Sequence, residues 1–336
     1  MKKIYKINIL VFILTLFSFI NNVHASEVYT NDLGVRIQQV EYSNLLSLGF
    51  SEEEIKMMPS NIYNENKNLK GEILGKDTRY FKTIYYYKDD KLIQHYSLNS
   101  DMLLKHFSYE VPEEEYNKEN NVTLYDANAT PVNTEYKKLE TSIIKVNSRY
   151  RVKNVLTWKK MPATRGNDVF AIAINNAVVE PLANSEHAFT SYTQKNSCTL
   201  DSLGKSINHT KWSKGSSGYG VVVTLPRDET KTYEYKGIDN YPCWKKPYYD
   251  IPIESKVNAS LSVTAIQSTM YYDLVKIIQA PISAYGSYQH AQKKLSFDNI
   301  SFSITYGAPS ISFNASIKKY FDGMGETHAQ ELSPKW

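Results

Sequence analysis

Basic side chains concentrate in residues 137–165, which hold nine Lys and Arg but a single Glu, in a chain of formal net charge +4. Strand alternation would place Arg149, Arg151 and Lys153, here called the basic row, on one face at intervals of roughly 7 Å. Such a row could bind an anionic polymer such as teichoic acid, or lipid headgroups. The alternative is a solvated face that acids on neighbouring strands balance.

Aromatic residues and prolines concentrate in a second stretch, residues 241–249, which reads Tyr-Pro-Cys-Trp-Lys-Lys-Pro-Tyr-Tyr. Aromatic side chains in a loop offer flat apolar faces to sugar rings or partner proteins. Trp244, Tyr248 and Tyr249 are therefore candidate ligand-binding residues. A loop folded down onto the protein body is the alternative, and the sequence does not separate the two.

The chain has two cysteines, Cys198 and Cys243. Both lie in predicted connections between strands, where the backbone can adjust to the Cα separation of about 5.5–6 Å that a disulfide prefers. In an oxidising compartment we expect them to form one bridge, and two free thiols are the alternative.

Common catalytic signatures are absent: the sequence has no H-E-x-x-H, C-x-x-C, G-x-S-x-G, P-loop or EF-hand pattern. The richest local group of possible metal ligands is Asp322, Glu326 and His328, and polar residues without that role are the simpler interpretation. We therefore expect no cofactor, and we lean against an enzyme. A catalytic group assembled from distant residues would leave no local pattern.

Period-2 alternation of apolar and polar residues dominates from about residue 135 onward. Examples are Tyr150–Trp158, Val257–Ala265, Ile300–Tyr306 and Ile311–Ile317. Strands of this kind bury one face and expose the other. The predicted fold is mainly β, a two-sheet antiparallel sandwich over residues 135–336, with a closed barrel as the less favoured alternative.

Residues 26–134 predict a small α/β N-terminal region. Ser51 and Glu54 have the spacing of a capping box, and a second short helix precedes them and ends at Gly49. We expect residues 26–76 to be poorly packed. The helix pair resembles a small protein-interaction motif, and a local packing element is the simpler interpretation. Phe81–Tyr87 and Lys91–Tyr96 predict a hairpin. An acidic linker follows it, and the domain boundary is expected at residue 134.

The first 25 residues have the pattern of a secretory signal peptide: a basic start, the apolar run Ile7–Ile20, and Val23-His-Ala25 as the cleavage site. The apolar run is shorter than the about 20 residues that a membrane-spanning helix needs. Cleavage would remove three of 39 basic residues and no acid, which leaves a net charge of about +1. Such a chain predicts no nucleic-acid partner and no transmembrane segment after cleavage.

Several stretches resemble a group of uncharacterised secreted proteins of Gram-positive bacteria. They are Leu48-Gly-Phe-Ser-Glu-Glu-Glu-Ile55, Tyr150-Arg-Val-Lys-Asn154, Trp158-Lys-Lys-Met-Pro162, Tyr288-Gln-His-Ala291 and Asp322-Gly-Met-Gly-Glu-Thr-His-Ala329. The resemblance spans most of the mature chain. It implies secretion and a β-rich fold, and it assigns no catalytic residue.

Together these features predict a secreted, extracellular, non-enzymatic protein that binds an anionic cell-wall polymer or a surface protein. A membrane-active, toxin-like β protein is the alternative, because Ser260–Thr269 and Ser296–Ser316 are rich in Ser and Thr. A hydrolase is the third class.

Overall fold

The computed structural model describes residues 28–86, 105–118, 133–162, 164–236, 241–244 and 254–291. Toward the C-terminus it describes residues 295–296, 300, 302–307, 310–318, 320–322 and 325–332. Four features of the sequence analysis lie outside these residues. They are the signal segment 1–25, the predicted strand Lys91–Tyr96, the middle of the acidic linker, and the pair Tyr248 and Tyr249.

Strands make up most of the described chain. The strands of the N-terminal half are β1 (Val28–Thr30), β2 (Arg36–Gln38), β3 (Gly71–Tyr86), β4 (Lys105–Val111), β5 (Asn133–Val146), β6 (Arg149–Trp158), β7 (Asn167–Ile174) and β8 (Val179–Pro181). Those that follow are β9 (His187–Asn196), β10 (Ser202–Asn208), β11 (Trp212–Gly215), β12 (Gly218–Thr224), β13 (Glu229–Lys236), β14 (Glu254–Lys276), β15 (Ser283–Gln289), β16 (Phe302–Ile304), β17 (Ile311–Phe313) and β18 (Glu326–Gln330). The helices are α1 (Gln39–Ser47), α2 (Glu52–Lys56), α3 (Ser60–Asn66), α4 (Glu113–Lys118) and α5 (Ala315–Lys318).

Two antiparallel sheets pack face to face, as the alternation predicts. The larger sheet has the order β10-β9-β14-β6-β5-β3-β4, and β8 and β13 also pair with the long strand β14. The smaller sheet has the order β11-β12-β7-β15-β18. Between them lies the main core, formed by alternate apolar residues such as Leu156 in β6, Phe170 in β7 and Tyr272 in β14.

A helical layer covers the other face of the larger sheet. α1 ends in a Schellman motif: Gly49 has a φ of +74°, and the N–H of Phe50 donates to the carbonyl of Leu45 at 3.2 Å. α2 begins with the predicted capping box between Ser51 and Glu54. Residues 26–76 were expected to be poorly packed, and the structure corrects this, because the described part forms a second core. Its helix-side members are Leu45, Leu48, Phe50, Ile55, Met58, Ile62 and Tyr63, packed on Ile144, Val146, Phe189 and Tyr271 of the sheet.

The chain on the two sides of residue 134 belongs to one sheet. β3 pairs with β5 from Gly71 with Val146 to Tyr85 with Asn133, with a bulge between Ile73 and Gly75. A sheet that crosses the predicted boundary shares its core, so residues 26–134 and 135–336 are not separated as the linker suggested. The linker composition marks the connection from β4 to β5, the two strands that lie on either side of β3 in the sheet.

A third apolar layer lies on the outer face of the smaller sheet, where Ile304, Ile311 and Phe321 pack on alanines of β7. The strand β17 (Ile311–Phe313) is shorter than the alternation of its sequence predicts. The alternation of Ile311–Ile317 continues past Phe313, but the carbonyl of Asn314 accepts the N–H groups of Ile317 and Lys318. These bonds begin the short helix α5.

Candidate functional site

A disulfide joins Cys198, in the turn after β9, to Cys243, which confirms the predicted pairing. The Cα atoms lie 4.4 Å apart, and Cys198 is buried. The bridge spans 45 positions of sequence, for which the chain-entropy estimate is about 4 kcal/mol of stabilisation. The segment between the two cysteines carries β10 to β13.

Side chains from β9 and hydrogen bonds to β13 and β14 hold the turn that contains Cys198. The side-chain oxygen of Asn196 accepts the N–H of Cys198 at 2.9 Å, and its amide donates to the Tyr233 hydroxyl at 2.6 Å. The Ser197 hydroxyl accepts the N–H of Ser260 at 2.8 Å. These hydrogen bonds hold the turn of Cys198 against β13 and β14 independently of the disulfide.

Three large apolar side chains that follow the two cysteines in the chain are exposed. The N–H of Trp244 donates to the carbonyl of Cys198 at 3.0 Å, yet Trp244 is 64% exposed. Leu203, on the edge strand β10, is 60% exposed, and Leu200 is 46% exposed in a left-handed conformation with φ of 63°. We call Leu200, Leu203 and Trp244 the disulfide surface.

The disulfide surface can bind an apolar or aromatic partner. Trp is the residue most enriched among side chains that dominate protein interfaces, and a rigid support lowers the entropic cost of binding. Tyr241, three residues before Trp244, contacts Tyr235 of β13, and the two ring centres lie 5.0 Å apart in an edge-to-face arrangement. Of the three candidate aromatic residues Trp244, Tyr248 and Tyr249, Trp244 lies within the described chain and is exposed. Leu200 and Leu203 were not anticipated, and only their closeness to Cys198 in sequence pointed to them.

The basic row lies on one strand face, as predicted, but that face is not solvated. Arg151 is 4% exposed and Lys153 fully buried, because the helical layer covers them. Arg149 is the first residue of β6. Its side chain is 40% exposed, and its guanidinium lies 3.1 Å from the carboxylate of Asp273. The structure thus corrects the expectation of an accessible anion-binding face. Arg151 and Lys153 of the basic row are internal, and all three of its residues are already paired with acids.

Lys153 joins the capping box of α2 to the sheet. Its ammonium donates to both carboxylate oxygens of Glu54, at 2.9 and 3.1 Å, and to the carbonyl of Gly49. It also lies 4.6 Å from the centre of the Phe50 ring. Glu54 accepts a further bond from the Thr269 hydroxyl at 3.1 Å. One carboxylate therefore caps a helix and neutralises a buried lysine.

Arg151 joins α3 to the sheet in the same way. Its guanidinium donates to Asp273 at 2.7 Å and to the side-chain oxygen of Asn66 at 2.6 Å. The guanidinium lies 4.3 Å from the Tyr271 ring centre, and the Tyr271 hydroxyl accepts from the Asn66 amide at 3.0 Å. Both buried cations thus hold the helical layer in place.

On the opposite side of the sheet, Lys137 is fully buried and forms an ion pair with Asp322. Its ammonium lies 4.9 Å from the Trp158 ring centre. Asp322 also accepts the N–H of His290 at 2.8 Å. This pair connects the C-terminal segment to β5.

Asp168 collects three donors beside that pair. It accepts from the Tyr288 hydroxyl, from Nδ1 of His290 at 3.0 Å and from the N–H of Ala291 at 2.8 Å. Burial lowers the pKa of His290, but the Asp168 carboxylate outweighs it, and the pKa lies above the ordinary value. All three side chains of the cluster Asp168, Tyr288 and His290 are fully buried, so a substrate cannot reach them.

His209 is buried in a neutral setting. Its Nε2 lies 2.8 Å from the Thr190 hydroxyl, which in turn lies 2.8 Å from the Ser268 hydroxyl. Burial lowers the pKa of His209 to about 4. The folded state therefore favours the neutral imidazole.

The group Asp322, Glu326 and His328 does not converge. Asp322 pairs with Lys137, Glu326 accepts the Ser310 hydroxyl at 2.7 Å, and Nε2 of His328 lies 2.6 Å from the Ser283 hydroxyl. The Ser283 and His328 pair has the spacing of a nucleophile and its base, but Ser283 is only 6% exposed. Within the described residues, no cluster of three His, Cys, Asp or Glu side chains suits a metal ion.

Comparison with known proteins gives no family assignment. No protein-family model matches the chain, and no curated protein matches it. In the part of the chain that the structure describes, no helix combines the length and the apolar character needed to cross a membrane.

Replacing Lys153 by Met should lower the free energy of unfolding by about 3–5 kcal/mol, because it leaves the Glu54 carboxylate buried without its cation. Urea denaturation at pH 7 measures this. The double variant Lys153→Met/Glu54→Gln should recover most of the loss, since neither group is then charged. Lys145→Met, at an exposed lysine of β5, is the matched control and should change stability by less than about 0.5 kcal/mol. A Lys153→Met variant as stable as this control would contradict the assignment.

Replacing His209 by Gln should flatten the acid side of the stability curve. With a folded pKa of about 4 and an unfolded pKa of about 6.5, the neutral form stabilises the fold fully above pH 6.5. That contribution is lost as pH falls from 6.5 to 4, by up to about 3 kcal/mol. Urea midpoints of both proteins across this range measure the difference. Parallel curves would show that His209 does not titrate in this way.

Proposed function

We propose that the chain is a secreted, non-enzymatic binding protein that recognises a partner protein through the disulfide surface. The observation that carries this proposal is a Trp side chain 64% exposed on a backbone fixed by a disulfide. Exposing a large apolar side chain to water is unfavourable in the free protein. The free energy becomes more favourable when a partner covers that side chain, and the rigid support means that little order has to be gained on binding.

The disulfide and the N-terminal sequence support an extracellular location. Stable disulfides form in oxidising compartments and are rare in the cytosol of most organisms. The first 25 residues have the composition of an export signal, which leads to such a compartment. The resemblance to secreted proteins of Gram-positive bacteria agrees with both features.

The chemistry of the surface favours a protein partner over an anionic cell-wall polymer. The polymer hypothesis depended on the basic row, and Arg151 and Lys153 are buried and paired with Asp273 and Glu54. The side chains of the disulfide surface are apolar and carry no positive charge. Two leucines and one tryptophan match the apolar centre of a protein interface better than a polyanion.

The membrane-active alternative has less support. Ser260–Thr269 lies within β14, which pairs with β9 along one edge and with β13 and β6 along the other. The backbone hydrogen bonds of this segment are thus used inside the sheet. Insertion into a bilayer would have to break them.

The proposal is tested by titrating labelled mature protein, residues 26–336, onto Gram-positive cells. We expect saturable binding that persists in high salt and disappears when surface proteins are removed with protease beforehand. Trp244→Ala should weaken binding about 30-fold or more, the effect of losing an interface residue worth about 2 kcal/mol.

Ile278→Ala is the matched control, because Ile278 is 55% exposed beyond the far end of β14, and it should bind like the wild type. Melting temperatures of both variants show whether the fold is intact. Failure to bind cells, or equal binding by Trp244→Ala, would contradict the proposal. Salt-sensitive binding to protein-free sacculi would favour a polymer ligand instead.

A further inference from the structure

A cleft of about 590 Å³ opens between β1, α1 and the start of α2. Val28 and Tyr29 of β1 form one side, and Tyr42 of α1 forms another. Gln39 of α1 and Glu52, Glu53 and Lys56 of α2 complete the lining. The cleft thus lies on the helix pair whose sequence resembles a protein-interaction motif, and the disulfide surface does not include it.

Two tyrosine rings form adjacent walls of this cleft. The ring centres of Tyr29 and Tyr42 are 5.8 Å apart, and the ring planes meet at 75°. Tyr29 is 37% exposed and Val28 is 43% exposed, so the cleft has an apolar surface that a ligand can contact. Ring faces at a steep angle are the arrangement that surrounds an organic cation, because each face carries negative electrostatic potential.

Two carboxylates add negative charge to the same opening. The capping box of α2 uses Ser51 and Glu54, so Glu52 and Glu53 are not needed for it. Among the described residues neither Glu52 nor Glu53 forms a salt bridge. Burial raises the pKa of Tyr42, and the nearby charges of Glu52 and Glu53 raise it further, because a phenolate is disfavoured beside carboxylates.

The one lysine of the lining is partly neutralised. Nζ of Lys56 lies 3.8 Å from the carboxylate of Asp32. Asp32 also contributes to the raised pKa of Tyr29, after burial. The groups that face the cleft are therefore negative in sum.

We propose that this cleft binds a quaternary ammonium group. Its methyl groups would pack on Val28 and on the two tyrosine faces, while Glu52 and Glu53 attract its charge. A bare ammonium needs hydrogen bonds to replace its water, whereas a quaternary ammonium has no donor to satisfy and loses little on leaving water. The chemistry fits a free choline-like molecule or a choline lipid headgroup.

This proposal does not rest on the partner-binding function, although the two surfaces are neighbours. A Cβ added at Gly204 would lie 2.9 Å from the carbonyl of Asp32, so β10 packs closely beside the residue that pairs with Lys56. The ion pair between Asp32 and Lys56 therefore connects the lining of the cleft to β10, the strand that carries Leu203.

The test is saturation-transfer NMR on the choline methyl signal with the mature protein, at constant ionic strength. We expect saturable choline binding in the millimolar range, typical of a small exposed aromatic cage, and weaker binding of ammonium. Tyr29→Leu/Tyr42→Leu should weaken choline binding about tenfold, because the apolar volume remains while the ring faces are lost. Tyr29→Phe/Tyr42→Phe keeps the rings and should bind as the wild type does.

Glu52→Gln/Glu53→Gln should weaken choline binding and reduce its dependence on salt. Trp244→Ala should leave it unchanged, which separates this site from the disulfide surface. Sedimentation with phosphatidylcholine vesicles, competed by free choline, would assign the lipid source, and choline binding without sedimentation would assign the free molecule. Absence of saturable choline binding, or unchanged binding by the leucine variant, would overturn the proposal.

Discussion

A charge buried in a protein interior must have a partner, and this requirement organises the molecule. An ion loses several kcal/mol of hydration when it leaves water, so an unpaired one would destabilise the fold by much of its total stability. Lys153, Arg151 and Lys137 are each buried in the larger sheet. Their partners Glu54, Asp273 and Asp322 come from an N-terminal helix, from β14 and from the C-terminal segment. The pairs therefore connect parts of the chain that are far apart in sequence.

This connection decides which surfaces remain for function. The helical layer covers one face of the larger sheet, and the smaller sheet covers the other. The outer face of the smaller sheet is covered in turn by the apolar C-terminal layer. Among the described residues, two of the surfaces that these layers leave open are the edge at β10, where the disulfide holds Trp244, and the outer side of the helix pair, where the tyrosine cleft opens. Both proposals concern these two neighbouring surfaces.

Local patterns in the sequence predicted the features that depend on neighbouring residues. Alternation identified the strands and the faces on which their residues lie, and the spacing of Ser51 and Glu54 identified the start of α2. Alternation does not say what covers a face. The basic row was assigned correctly to one side of β6, but its burial depends on Glu54 and Asp273, 99 and 122 residues away in the chain. The pairing of β3 with β5 across the acidic linker was hidden for the same reason. The disulfide could be predicted because only two cysteines exist, whereas Leu203 looked like one apolar residue in a polar strand.

We infer that the helical layer and the sandwich form one cooperative unit held together by buried ion pairs. Native-state hydrogen exchange tests this most directly, by comparing amides of α1 and α3 with amides of β6 and β14. We expect the slowest helix amides to exchange with the same free energy as the slowest strand amides, because opening the helices takes Glu54 away from Lys153 and Asn66 away from Arg151. Helix amides that exchange at several kcal/mol lower free energy, while the strands stay protected, would show that the layer opens alone and would contradict the account.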